Sequence, residues 1–123
     1  MAVGFTYQVK INLTGDQIQS QVFEKPVAST NSNGAIGQYQ LNPGDNTMFS
    51  GNFSFQDLSI SAFLVVPPAT NTTAIVLKGE TTDVGIQISP NSPTLLAVDT
   101  SATTQKIILN AATTIQNVTF ARL

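Results

Sequence analysis

The sequence predicts an all-β fold: one antiparallel β-sandwich, of jelly-roll or Greek-key type, with about eight to ten short strands. Three observations carry this expectation. Turn signals rich in Gly, Pro, Asn and Asp recur at intervals of roughly 8–12 residues. Between them, apolar residues either alternate with polar ones or stand together in short runs, as in strands. Apolar residues do not recur at the i, i+3, i+4, i+7 spacing of an amphipathic helix outside runs better read as strands. At 123 residues the chain is read as one domain spanning 1–123, long enough for a two-layer core. It contains no cysteine, so the fold owes nothing to disulfides.

The first strand is the clearest. Val3, Phe5, Tyr7, Val9, Ile11 and Leu13 alternate with Gly4, Thr6, Gln8, Lys10 and Asn12. Gly15-Asp16 supplies a turn. A weaker strand follows over 17–23, with Pro26 expected to close it or to lie on a sheet edge. From about 24 to 46 the pattern is lost, and the segment reads as a polar loop or arm, or as a hairpin hidden by weak patterning around Ala35–Leu41. Phe49, Phe53 and Phe55 share one side of a strand over 47–57. The apolar set then moves to even numbers: Leu58, Ile60, Ala62, Leu64 and Val66. A parity change of this kind requires a bend near Gln56-Asp57. Pro67-Pro68 stops the strand.

Residues 71–99 read as three further strands. Ala74–Leu77 and Leu95–Val98 are apolar at consecutive positions, as is Ile107–Leu109 beyond them. The middle strand, Val84, Ile86 and Ile88 against Gly85, Gln87 and Ser89, has one polar face. A strand that is apolar on both sides must be covered on both sides. In a short chain, part of that cover is expected from a second chain.

Charge excludes several functions. Charged residues make up 10% of the chain, against about 25% in ordinary soluble domains. The five basic residues, Lys10, Lys25, Lys78, Lys106 and Arg122, are scattered, which argues against nucleic-acid binding. Ser, Thr, Asn and Gln fill 46 positions instead. Such side chains form hydrogen bonds in a buried contact without the cost of burying ions, several kcal/mol each. This composition suits permanent contact with neighbours. No apolar run approaches the ~18 residues of a membrane-spanning helix, and the start has no basic n-region or apolar h-region, so neither a membrane span nor a signal peptide is expected.

The chain has no histidine and no cysteine, so no Ser-His-Asp or Cys-His catalytic set can form. Gly34-Ala35-Ile36-Gly37 lacks the lysine and the helix of a phosphate loop. Glu80 and Asp83 share a loop and read as turn-formers rather than as an acid pair. No catalytic residue, cofactor or metal site is expected. Tyr39 is the one aromatic in a polar context, placed either to stack on a sugar or protein neighbour or to serve as the apolar tooth of a short strand.

The run NTTAIVLKGETTDVGIQISPNSPTLLAVDTSATT resembles segments of small β-structured virion proteins of tailed bacteriophages. The resemblance covers Asn71 to about Thr104. It rests on the Lys78-Gly79 turn, the Gly85-Ile86-x-Ile88 strand and the Pro93-Thr94-x-Leu96 strand start. It implies a non-enzymatic structural component of a virus particle, located in the virion. The first form is a capsid cement or decoration protein, self-associated as a trimer and bound to the major capsid protein. The alternative is a tail or baseplate component. A third reading, from the residues alone, is a carbohydrate- or receptor-binding β-sandwich with 28–46 as its recognition loop. The residues expected at the partner interface are Tyr39, Ile75, Leu77, Leu95, Ile107 and Leu109.

Overall fold

The computed structural model describes residues 5–15, 18–29, 35–49, 55–102 and 105–123. Side chains within the first two strands are described only at Gln8, Val9 and Lys10. Among the described residues are ten strands and one helical turn. The strands are β1 (Phe5–Gly15), β2 (Ile18–Ser29), β3 (Ala35–Leu41), β4 (Gly44–Phe49), β5 (Ala62–Val66), β6 (Ile75–Lys78), β7 (Ile86–Ile88), β8 (Thr94–Ala97), β9 (Ile107–Ala111) and β10 (Ile115–Arg122). The helical turn, α1, is Phe55–Leu58.

The strands form two antiparallel four-stranded sheets, ordered β3-β10-β5-β8 and β4-β9-β6-β7, and a separate two-stranded ribbon, β1-β2. The pairings β3·β10, β4·β9, β5·β8 and β6·β7 describe one long hairpin whose tip is the 79–85 loop. Winding that hairpin on itself adds the pairs β10·β5 and β6·β9. The product is a jelly roll, in which consecutive strands pass between the sheets.

The segment expected as a polar loop or arm at 24–46 is instead largely strand. β2 continues through Pro26 to Ser29, and β3 and the start of β4 supply the rest. A two-stranded ribbon leaves one edge of each strand unpaired, so a proline can sit there without losing a ladder bond. Asn46 explains the β3–β4 turn: its Nδ2 donates to the Asn42 and Gly44 carbonyls at 2.9 and 3.1 Å, and its Oδ1 accepts from the Asn42 N–H at 2.9 Å. Gly44 has φ +96°, a left-handed value that glycine adopts without strain.

The expected bend near Gln56-Asp57 is α1. The strand expected over 47–57 ends at Phe49, and Phe53 lies outside the described residues. The Ile60 N–H donates to the Phe55 carbonyl at 2.9 Å, and Ser59 closes the turn at φ +54°. Four residues are too few to show a helical period in sequence. β5 then starts at Ala62, not at Leu58.

The core lies between the sheets. Phe63 on β5 is its centre, with ring centroids 5.5 Å from Phe49, 5.4 Å from Phe55 and 5.6 Å from Phe120. Leu41, Ile60, Ile75, Leu109 and Val118 are fully buried around it. In β10 the register shifts between Ile115 and Val118, and Asn117 at φ +57° marks the bulge. Asparagine tolerates this left-handed conformation better than most residues. The chain end is held too: the Leu123 carbonyl accepts from Ser61 N at 2.7 Å, and its N–H donates to the Ala62 carbonyl at 2.9 Å.

Two substitutions test this account by urea unfolding. Phe63→Ala empties the centre of the core and should cost about 3–5 kcal/mol. A Cβ on Gly85 would stand 2.6 Å from Val76 Cγ1 and 2.7 Å from the Leu77 carbonyl oxygen, at φ +81°. Gly85→Ala should therefore cost about 2–4 kcal/mol through overpacking and backbone strain.

Candidate protein interface

Residues paired across an antiparallel sheet share a side, and neighbours along a strand alternate. Phe63 and Val65 point into the core. Ala62, Leu64 and Val66 must therefore point away from it. Leu64 pairs with Ala121 on one side and Leu95 on the other, and Ala121 pairs with Ile36. A row of apolar side chains thus crosses all four strands of the β3-β10-β5-β8 sheet on its outer face. Val66, Thr119 and Gln38 form the next row; Ala62 and Ala97 pair on the other side of Leu64 and Leu95. None of these positions carries a charge.

An antiparallel sheet covered on one side ordinarily shows a polar second face. The other sheet does so. Asp45, Asn110, Val76 and Gln87 are aligned across its outer face, with Thr47 and Lys78 on either side of the buried Ile108. Asp45 Oδ1 accepts from Asn110 Nδ2 at 2.8 Å and from Lys78 Nζ at 3.2 Å. These contacts, Asn110 first and Lys78 second, hold the Asp45 carboxyl below its ordinary value. Asp99 is lowered likewise by the Ser101 hydroxyl and N–H, at 2.7 and 2.9 Å. The two outer faces of the sandwich therefore differ in kind: one is polar with an ion pair, the other uncharged and mostly apolar.

On the uncharged face Ile36 is 74% and Leu95 39% exposed, while Leu64 and Val66 are half-buried. A second apolar surface lies at the hairpin tip. Val84 is 95% and Ile86 68% exposed on the free edge beside β7. Beneath them is an open cleft of about 600 Å³, whose apolar lining includes Phe55, Leu77, Leu96 and Val98. The charges at its rim are engaged. Asp83 Oδ2 accepts from the Gly79 and Glu80 N–H groups at 3.1 and 2.8 Å, and Lys106 pairs with Glu80 at 3.4 Å. Glu80 and Asp83 serve the loop as the sequence suggested.

The expected interface residues separate into two groups. Leu95 lies on the uncharged face, and Tyr39 is 45% exposed. Tyr39 points inward on edge strand β3, lying over Gly37 and edge-on to Phe120 at 6.4 Å. Leu77 is half-buried in the cleft lining. Ile75, Ile107 and Leu109 are core residues, and assigning them to an interface is corrected. Their strands are apolar on both sides, but these three members face the opposite sheet. Sequence reasoning missed Ile36, Leu64 and Val66. The available signal was Ala62-Phe63-Leu64-Val65-Val66, the longest unbroken apolar run of any strand.

Comparison with protein-family models, with curated proteins and with solved structures gives no match.

The Asp45 network predicts a pH dependence. A carboxyl held low by folding stabilises the folded state above the ordinary carboxylate range, and that contribution is lost as pH falls through the lowered value. Asp45→Asn should unfold at lower urea than the parent at about pH 7. The two midpoints should converge at about pH 2.5, once the parent carboxyl is protonated.

Proposed function

We propose that this chain is a non-enzymatic structural subunit of a virus particle, a capsid cement or decoration protein that attaches by its uncharged sheet face. The observation that supports this most is the asymmetry of the sandwich. One outer face carries Asp45 and Lys78, while the aligned outward positions of the other carry no charge. Contact through such a face removes apolar surface from water, at roughly 25 cal/mol per Å², and desolvates no ion. The resemblance of residues 71–104 to phage virion proteins supplies the setting, and jelly rolls are a recurrent architecture of capsid domains. A tail or baseplate position would use the same surface. Self-association, with a trimer as the favoured form, is part of the same reading.

Binding to particles is the test. The purified chain should co-sediment with phage heads at a fixed ratio to the major capsid protein. It should stay bound at about 0.5 M salt, where exposed ion pairs are screened. The double variant Ile36→Glu, Leu95→Glu should lose at least about tenfold in affinity, with little change in thermal stability because both side chains are exposed. A chain that is monomeric and binds neither heads nor tails overturns the proposal. Binding to tails alone moves it to the alternative position.

A further inference from the structure

The β1-β2 ribbon has a side that needs the same kind of cover. Its register sets Ile11 opposite Phe23 and Tyr7 opposite Val27. By alternation, Phe5, Val9 and Leu13 belong to that side, and Thr6, Gln8, Lys10 and Asn12 to the other. Gln8 and Lys10 are exposed, and Val9 between them is half-buried. The ribbon's strands pair with no strand of either sheet among the described residues. One chain therefore carries two apolar surfaces: a ribbon side and a sheet face.

We infer that the uncharged face of one copy receives the β1-β2 ribbon of a second copy. The inference rests on reading that face as an interface, and it names the occupant. Exposure favours a second copy over the chain's own ribbon, because Ile36 and Leu95 stand 74% and 39% open with the whole chain present. Area favours it as well. Four strands about 4.8 Å apart and about 20 Å long offer a face of roughly 400 Å². That is about half of the ~800 Å² per partner of a standard interface. A ribbon of about eleven residue pairs, roughly 36 Å by 10 Å, adds about 350 Å². Each copy giving a ribbon and receiving one brings the total close to the standard size. The exchange closes equally well in a two-fold or a three-fold ring, since every copy gives once and receives once.

The absence of native cysteine makes this testable in the full chain by cross-linking. One preparation carries Val9→Cys; a second, with a mass tag, carries Leu95→Cys. Mixed and treated with a short bis-maleimide, they should give a tagged–untagged heterodimer as the main product. Adding Ile36→Glu to the Leu95→Cys copy should reduce its yield at least tenfold. The double variant Val9→Cys, Leu95→Cys reports the other arrangement. Closure within one chain, without heterodimer in the mixture, assigns the ribbon to its own face and overturns the inference. Oligomers and head binding that persist without any Val9–Leu95 product overturn it too, and leave the proposed function standing. Loss of both association and head binding removes that reading with it.

Discussion

Phe63 holds the molecule together and, by doing so, determines its surface. Its ring meets Phe49 from the opposite sheet, Phe55 from the helical turn and Phe120 from the neighbouring strand, all at 5.4–5.6 Å. Aromatic pairs at this separation contribute beyond their buried area. The cluster therefore commits the odd positions of β5 to the interior. Strand geometry then leaves Ala62, Leu64 and Val66 no choice but the outside. A slip of one residue would exchange the two sets and place Phe63 in solvent. The apolar outer face is thus a consequence of how the core is filled, in a strand with no polar residue to offer either side.

Around that centre, single residues pin the connections. Asn71 donates from Nδ2 to the Thr73 and Pro90 carbonyls at 2.9 and 2.7 Å, tying the β5–β6 connection to the β7–β8 turn. Asp83 caps its loop through two backbone N–H groups. Gly85 lets that loop pass against Val76 and Leu77, where no side chain fits. These devices spend the chain's amides and acids on structure. The acidic residues that a search for chemistry would single out, Glu80, Asp83 and Asp45, each have a structural partner. What remains available to another molecule is largely apolar and uncharged surface.

The proposed contact follows from that economy of charge. An interface built from Ile36, Leu64, Leu95 and their uncharged neighbours needs shape and water exclusion, and ionic strength has little hold on it. Polar residues on the opposite face keep that side solvated, so the subunit has a preferred orientation on whatever it binds. A ribbon that pairs only with itself beside such a face provides the means for copies to join without a new fold.

The sequence by itself determined the fold class, the number of strands, and the absence of the residues that nucleophilic catalysis requires. Period-2 alternation, Gly and Pro punctuation and the missing His and Cys are local properties, legible without any partner strand. It also determined that some strands must be covered on both sides. Only the tertiary structure decided which strands, and which of their residues. Ile75, Ile107 and Leu109 looked like surface candidates and are core; Leu64 and Val66 looked like core and lie outside. The reason is that strand parity is relative. Alternation divides residues into two sets, but nothing in the chain labels either set as the inner one. That label comes from the opposite sheet, whose Phe49 meets Phe63 across the core.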